Sequence, residues 1–319
     1  MSTFKNMRAD LDGQQAHHQN WYVVAFADEL KAGEVIGKDF LNTRVAVYRK
    51  ACGEVVVTTA RCPHMGADLS LGDVVNDQLR CAYHHFSFDC HGVCQSVPSN
   101  DPVPPGAKIF SYPCVERFGL IWAFNGEKPR FPPPEARDFG YENLRYRARK
   151  TDVFNHAPWI NIGNVFDFLH LKYVHGLSFD YDVERINYLD DYHIENEIQF
   201  DTEHPYESRI RITGTNTVAY TVVTDTASIG LFTLTPIGTQ SHSYCIALTP
   251  DNNGDSEAVQ EKKLRFQESF ADMLLVDDVR TLTGLKFKVG AMLREDQALV
   301  KFFRWVHQFP VNEASRDFE

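Results

Sequence analysis

Four side chains in the first third of the sequence have the types and spacing of a metal centre. Cys62 and His64 stand as Cys-x-His, Cys81 and His84 as Cys-x2-His, each pair closing a strand-like run. Two thiolates and two imidazoles suit a tetrahedral zinc. They equally suit a cluster of two irons and two sulfides in which cysteines hold one iron and histidines the other. A zinc finger usually draws both cysteines from one knuckle and both histidines from another, whereas here each loop carries one of each. A two-iron cluster needs that mixture, because each loop must reach both ends, the inner cysteine gripping one iron and the outer histidine the other. The cluster is therefore the expectation and a zinc site the alternative. Cys52, Cys90, Cys94, Cys114 and Cys245 are expected to be ordinary thiols, since an odd total of seven, unevenly spread, does not suit a disulfide framework.

A second group lies in "NVFDFLHLKYVH", where Asn164, Asp167, His170 and His175 alternate with Phe166, Phe168, Leu169, Leu171, Tyr173 and Val174. The apolar setting implies burial, and a buried carboxylate or imidazole without a partner is costly by several kcal/mol. A shared metal ion would satisfy them; histidines satisfied within an ordinary core are the alternative. On an ideal helix Asp167 and His170 share a face, but residues five apart are turned by about 140°. His170 and His175 cannot grip one ion from an undistorted helix, so a bulge or break between them is predicted.

Taken together, the two groups resemble the Rieske non-haem iron oxygenases. Cys62-Pro63-His64-Met65-Gly66-Ala67 and Cys81-Ala82-Tyr83-His84 stand where that family has its cluster loops, and Asn-x2-Asp-x2-His-x4-His is similar to its mononuclear-iron segment. "NWYVVAFADELKAGEV" and "VERFGLIWAFNGE" resemble the opening and closing strands of the family's cluster domain. Ala67 and Tyr83 stand where respiratory Rieske proteins carry an extra disulfide, which points to the oxygenase or ferredoxin branch. Two departures stand out: His85 follows the second ligand histidine where glycine is common, and Phe86 replaces the usual tryptophan. The detailed likeness covers residues 20 to 176.

The resemblance implies a [2Fe–2S] Rieske cluster on Cys62, His64, Cys81 and His84, and a mononuclear Fe(2+) on His170, His175 and a third carboxylate. That ligand is an Asp near the C-terminus after an acidic residue. Asp296, after Glu295 in "LREDQALVKFF", is the expectation, with Asp277 and Asp278 as the fallback. Asp167 matches the residue that bridges the cluster of one subunit to the iron of its neighbour, which implies a homotrimer. Asn164, one turn earlier, is expected near the iron.

The elements that must hold these groups follow from the pattern. Residues 20–127 read as short β-branched and aromatic strands punctuated by turns, an all-β Rieske domain. "KPRFPPPE" lacks the N–H groups for a regular element and marks a boundary. Residues 128–319 read as a catalytic domain: a helical run around His170, alternating strands from Glu207 to Gly238, then mostly helix from Glu257 to Val306 broken at Gly284 and Gly290. The fold class is thus α+β, the second domain an antiparallel sheet with helices. Its 319 residues suit about two domains. With 43 acidic against 32 basic residues the net charge is −11, which excludes an electrostatic footprint for nucleic acid. No apolar run approaches the ~20 residues of a membrane span, and no secretory signal is readable, so the cytoplasm is the expected compartment.

These features imply a terminal oxygenase component of the stand-alone monooxygenase type. With O2 and electrons from a separate NAD(P)H-dependent reductase or ferredoxin, it would hydroxylate or oxidatively dealkylate a small aromatic or cyclic substrate; no flavin or nicotinamide fingerprint is present in the chain itself. The alternatives are a ring cis-dihydroxylating dioxygenase, a Rieske-type electron carrier, and a zinc-organised binding module. Metal analysis separates the classes: an oxygenase holds about three irons per chain, an electron carrier about two, and a zinc module none, without visible colour.

Overall fold

The computed structural model describes residues 11, 16–99, 101–180, 182–201, 206–223, 227–251 and 254–312. They form two compact units, one of residues 16–133 with 311–312, the other of residue 11 with 134–310. Among the described residues no helix is long and apolar enough to cross a membrane.

The first unit is all β. Val35–Phe40, Thr43–Arg49, Val55–Thr59 and Ser111–Tyr112 make one antiparallel sheet; Trp21–Phe26, Leu120–Phe124 and Cys114–Arg117 make another. Val23, Val45, Val47, Val57, Ile121 and Trp122 are buried at 1% exposure or less, as the β-branched and aromatic runs require. The proline-rich segment belongs to this unit as far as Pro133. Trp21 Nε1 donates to the Phe131 carbonyl at 2.9 Å, and Arg117 reaches the Pro133 carbonyl at 3.2 Å. The late strand Val311–Asn312 also joins this unit, pairing with His17–His18.

A third sheet is made of Asp73–Val75, Gln78–Arg80, Ser87–Phe88 and Cys94–Ser96; the Cys81–His84 loop joins two of its strands, while the Cys62–His64 loop follows Val55–Thr59 of the first sheet. The two motif loops are built alike. The Cys62 N–H donates to the Ala67 carbonyl and the Gly66 N–H to the Cys62 carbonyl; likewise Cys81 N–H to Phe86 and His85 N–H to Cys81. The pattern needs a left-handed residue at its fourth position after the cysteine, met by Gly66 at φ +75° and by His85 at φ +55°. This explains why glycine suits the place that His85 holds.

The second unit is a seven-stranded antiparallel sheet crossed by helices. In spatial order its strands are Leu144–Phe154, Gln240–Pro250, Ala227–Ile237, Thr217–Val223, Tyr206–Thr213, His193–Phe200 and Asn187–Tyr188. Alternation sends Ile194, Asn196, Ile198 and Phe200 to one face of their strand. Ile198 lies opposite Ser208, Ile210 opposite Tyr220, and Phe232 opposite both Val218 and Cys245, so one face of the sheet presents a continuous surface. Tyr220 has Gly230 as its partner, and a Cβ there would lie 2.3 Å from the Tyr220 ring.

The helices are α1 (Pro158–Gly163), α2 (Phe168–Tyr173), α3 (Glu257–Leu282) and α4 (Gln297–Gln308). Pro158 starts α1, and Ser256 caps α3 by accepting the Val259 N–H. Ion pairs from the edge strand hold α3 along the sheet: Arg145 to Glu257 at 2.6 Å, Arg147 to Glu261 at 2.5 Å, and Arg149 to Asp272. Exposed pairs of this kind add at most about 1 kcal/mol each, so buried Leu264, Ala271, Leu275 and Leu282 do most of the anchoring. The run around His170 is helical as expected, with the predicted break: α2 ends at Tyr173, placing His175 beyond it, and a second break falls at Asp167 (φ −91°, ψ 86°).

Replacing His85 by Gly should stabilise the first unit by about 1 kcal/mol, because a side chain in the left-handed region is strained. Gly66→Ala should destabilise it by a similar amount. Denaturant titration of both variants checks the pair.

Candidate functional site

In the first unit the two twin loops bring Cys62, His64, Cys81 and His84 together. Cys62 and Cys81 are 3% and 1% exposed, while His64 is exposed and His84 half-buried. The Nδ1 atoms of His64 and His84 face each other at 3.1 Å. Phe86 stacks on the His64 ring at 4.7 Å. Burial pushes the Cys62 thiol up to about 11; the His64 backbone offsets this in part, and neighbouring Cys81 adds to it. The buried Cys62 thiol does not ionise unaided, and a bound cation is what turns such a group into a ligand. Sulfur inside and nitrogen at the surface is the donor set a two-iron cluster with unlike ends demands. Among the described residues the seven cysteines form no disulfide.

In the second unit His170, His175 and Asp278 converge, their ligand atoms all within 4.8 Å of one another. His170 Nε2 is 2.9 Å and His175 Nε2 3.4 Å from Asp278 Oδ1, and the two Nε2 atoms are 3.1 Å apart. Ligands about 2.1 Å from a six-coordinate ion and at right angles to one another stand roughly 3.0 Å apart, so this triangle fits three adjacent corners of an octahedron. Burial alone would raise the Asp278 carboxyl, but hydrogen bonds from His170 and His175 outweigh it and hold the group below the usual carboxylate range. Asn164 Nδ2 donates to Asp278 Oδ1 at 3.2 Å and steadies it. Asp277 Oδ2 lies 3.9 Å from His175 Nδ1, on the far side of that ring.

The structure thus puts Asp278, not Asp296, beside the histidines. The Asp296 carboxylate instead accepts the Leu293 N–H at 2.6 Å, closing the turn that leads into α4. The physical reason is helix phase: Asp278 falls on the inward stripe of α3 with Ala271, Leu275 and Leu282. Asp167 caps α2, its Oδ1 accepting the His170 N–H at 2.9 Å. That cap fixes the start of the helix carrying His170.

The triad opens on an apolar cavity of about 150 Å³ between the sheet face and the helices, lined among others by Leu171, Ile198, Phe200, Ile210 and Leu275. Asn161 of α1 also lines it and was not singled out from the sequence. It is 6% exposed, and neither its Nδ2 nor its Oδ1 has a hydrogen-bond partner in the protein. A buried polar group left so costs about 1–3 kcal/mol.

Residues 20–113 match the Rieske [2Fe-2S] domain. The chain carries a Rieske domain and the fold of the Rieske oxygenase components. Among curated relatives, the toluene-4-sulfonate monooxygenase system iron-sulfur subunit TsaM1 of Comamonas testosteroni is 34% identical over 157 residues, 49% of this chain and 45% of that one. The oxygenase component of dicamba O-demethylase from Stenotrophomonas maltophilia is 35% identical over 159 residues, 49% of this chain and 46% of that one. The chain thus matches under half the length of these relatives. Across the whole fold, the NdmA QL mutant of Pseudomonas putida CBB5 with caffeine superposes with a TM-score of 0.72 at 21% identity, covering 91% of this chain and 90% of that one. The matched domain is that of a Rieske [2Fe-2S] cluster, and a similar solved structure, dicamba monooxygenase with non-heme iron and dicamba, has a TM-score of 0.62 at 22% identity, covering 91% of this chain and 96% of that one. The two donor sets described above fit such a cluster and such an iron.

Asp278→Ala should lower iron by about one atom per chain while the visible spectrum of the cluster persists. Asp296→Ala should keep all the iron and lose only about 1 kcal/mol of stability with its turn. Metal analysis and denaturation of both variants check this.

Proposed function

We propose that the chain is the terminal oxygenase component of a multicomponent monooxygenase, hydroxylating or oxidatively dealkylating a small neutral cyclic substrate. The observation that carries this reading is the triad of His170, His175 and Asp278 at the wall of an apolar cavity. Three protein ligands on one side of an ion leave the other side open. When bound, the iron would supply dioxygen activation and the cluster one-electron transfer. Inserting one oxygen atom into a C–H bond while the other leaves as water consumes two electrons and two protons, which a separate NAD(P)H-dependent reductase or ferredoxin would furnish.

The chain's own residues set the conditions for that chemistry. Cys62, His64, Cys81 and His84 would hold the cluster; His170, His175 and Asp278 would hold the iron, with Asn164 keeping the carboxylate in place. Ile198, Phe200 and Ile210 exclude water and favour an apolar ring. An apolar cavity of about this size takes a benzene-sized guest. Among the described lining residues there is no Lys or Arg, so the sulfonate in the name of the first relative would find no counter-charge here. We further propose Asp167 as the bridge between the cluster of one subunit and the iron of the next, in a trimer acting in the cytoplasm.

The activity is tested with a surrogate reductase and a panel of neutral arenes and N- or O-methylated rings. Oxygen uptake should depend on substrate and on iron, with formaldehyde released where a methyl group is lost; uptake unaffected by removing iron would refute the reading. Asp167→Asn isolates the bridge, since asparagine caps a helix as well as aspartate. Both metals should remain while coupled turnover falls 10- to 100-fold. Wild-type turnover in that variant would refute the bridge.

A further inference from the structure

One face of the strand Tyr206–Thr213 is a wall of the cavity. Tyr206, Ser208 and Ile210, two residues apart, all line it, while Glu207, Arg209 and Arg211 of the opposite face enter ion pairs. Tyr206 stacks on Phe200 with ring centroids 4.8 Å apart, so its ring extends the apolar lining. Ser208 brings a hydroxyl into this stretch and is 6% exposed. The other polar groups of the lining are engaged or shut away: Asn164 donates to Asp278, the Tyr220 hydroxyl accepts from Gln267 Nε2 at 2.8 Å, and both amide atoms of Asn161 are sealed from the cavity. The Ser208 hydroxyl is neither. Among the described residues it has no hydrogen-bond partner, and it is not one of the sealed atoms. Its strand is an inner one, with Ile198 and Val222 as the partners of Ser208 on either side, so the neighbouring backbone groups are engaged by the ladder. The open side of the hydroxyl is the cavity.

We infer that Ser208 is a specificity-determining residue: its hydroxyl donates to an uncharged carbonyl oxygen of the substrate, as in a cyclic ketone, lactone or lactam, and so fixes which edge of the ring turns toward the helices that carry the triad. This rests on the proposed function only in taking the cavity as the substrate site. A serine hydroxyl has one proton to give, and a carbonyl accepts it without bringing a proton of its own to place among Ile198, Phe200 and Ile210. A carboxylate or sulfonate accepts the same proton, but it would enter beside Asp278 with no lysine or arginine among the described lining residues to offset it. A site whose buried polar group is completed by the ligand rejects the analogue lacking that group more strongly than an apolar wall rejects a change of size. Placed on the sheet, this anchor acts from the wall across the cavity from the helices.

The test is calorimetric titration of the iron-loaded protein with cyclohexanone and methylenecyclohexane, which differ only in an oxygen against a CH2, on wild type and on Ser208→Ala. The ketone should bind the variant roughly three- to tenfold more weakly than wild type, the loss expected for one neutral hydrogen bond, while the hydrocarbon binds it equally or more tightly. A wild type that binds no ketone overturns the proposal outright. An unchanged ratio of the two affinities would mean that the ketone takes no bond from this hydroxyl, and would overturn it too. A parallel loss for both probes would make Ser208 a matter of shape, with the same result. Should the alanine variant fail to fold, Ser208→Thr and Ser208→Val supply the comparison at matched size: the threonine protein should keep the ketone and the valine protein lose it, and equal ratios in the two would refute the hydrogen bond. Iron at the triad and coupled oxygen uptake with a ratio indifferent to residue 208 would leave the oxygenase reading standing and this inference refuted; a ratio that follows the hydroxyl in a protein that takes up no oxygen with any ring would do the reverse.

Discussion

Everything in the second unit answers to one geometric demand: three ligand atoms roughly 3 Å apart, two of them from a short stretch of chain and the third from a distant helix. A carboxylate beside two imidazoles is stable in an apolar surrounding only while its charge is shared. Here it takes hydrogen bonds from both rings and from Asn164. The sheet provides the flat face, the ion pairs from Arg145, Arg147 and Arg149 align α3 on it, and the phase of that helix delivers Asp278.

The same economy is visible at Asp167. Its side chain closes the first turn of α2 by accepting the His170 N–H, so the residue we propose as the bridge between centres also sets the pitch at which His170 is presented. Alanine here would remove the cap together with the proposed bridge, which is why a side chain of the same shape is the informative replacement. In the first unit the twin loops show a comparable coupling, with left-handed backbone at Gly66 and His85 closing each loop onto the carbonyl of its cysteine.

How much of this was legible in the sequence depended on how local the information was. That Cys62, His64, Cys81 and His84 come together could be read because each loop carries its own cysteine and histidine, and the break before His175 followed from the five-residue spacing. The third carboxylate could not be chosen, because two acidic pairs, Asp277–Asp278 and Glu295–Asp296, both lie in helical runs with apolar stripes. Only the packing of α3 on the sheet decides between them. The inward series Ala271, Leu275, Asp278 and Leu282 was the available signal. Asn161 was silent for another reason: in "PWINIG" nothing local shows that its amide goes unpaired. The boundary shifted past Pro133 because Trp21 and Arg117, far away in sequence, grip the prolines.

Gly230 gives the sheet a different kind of importance. Tyr220 lies across it with no room for even a methyl group between them, and the Tyr220 ring is part of the cavity wall. The space left to a guest molecule is therefore governed from beneath, by an atom that is missing. A side chain at 230 would press on the Tyr220 ring and on Gln267 beside it, so the room open to a guest can drift in evolution through a residue that lies beneath the wall rather than through His170, His175 or Asp278.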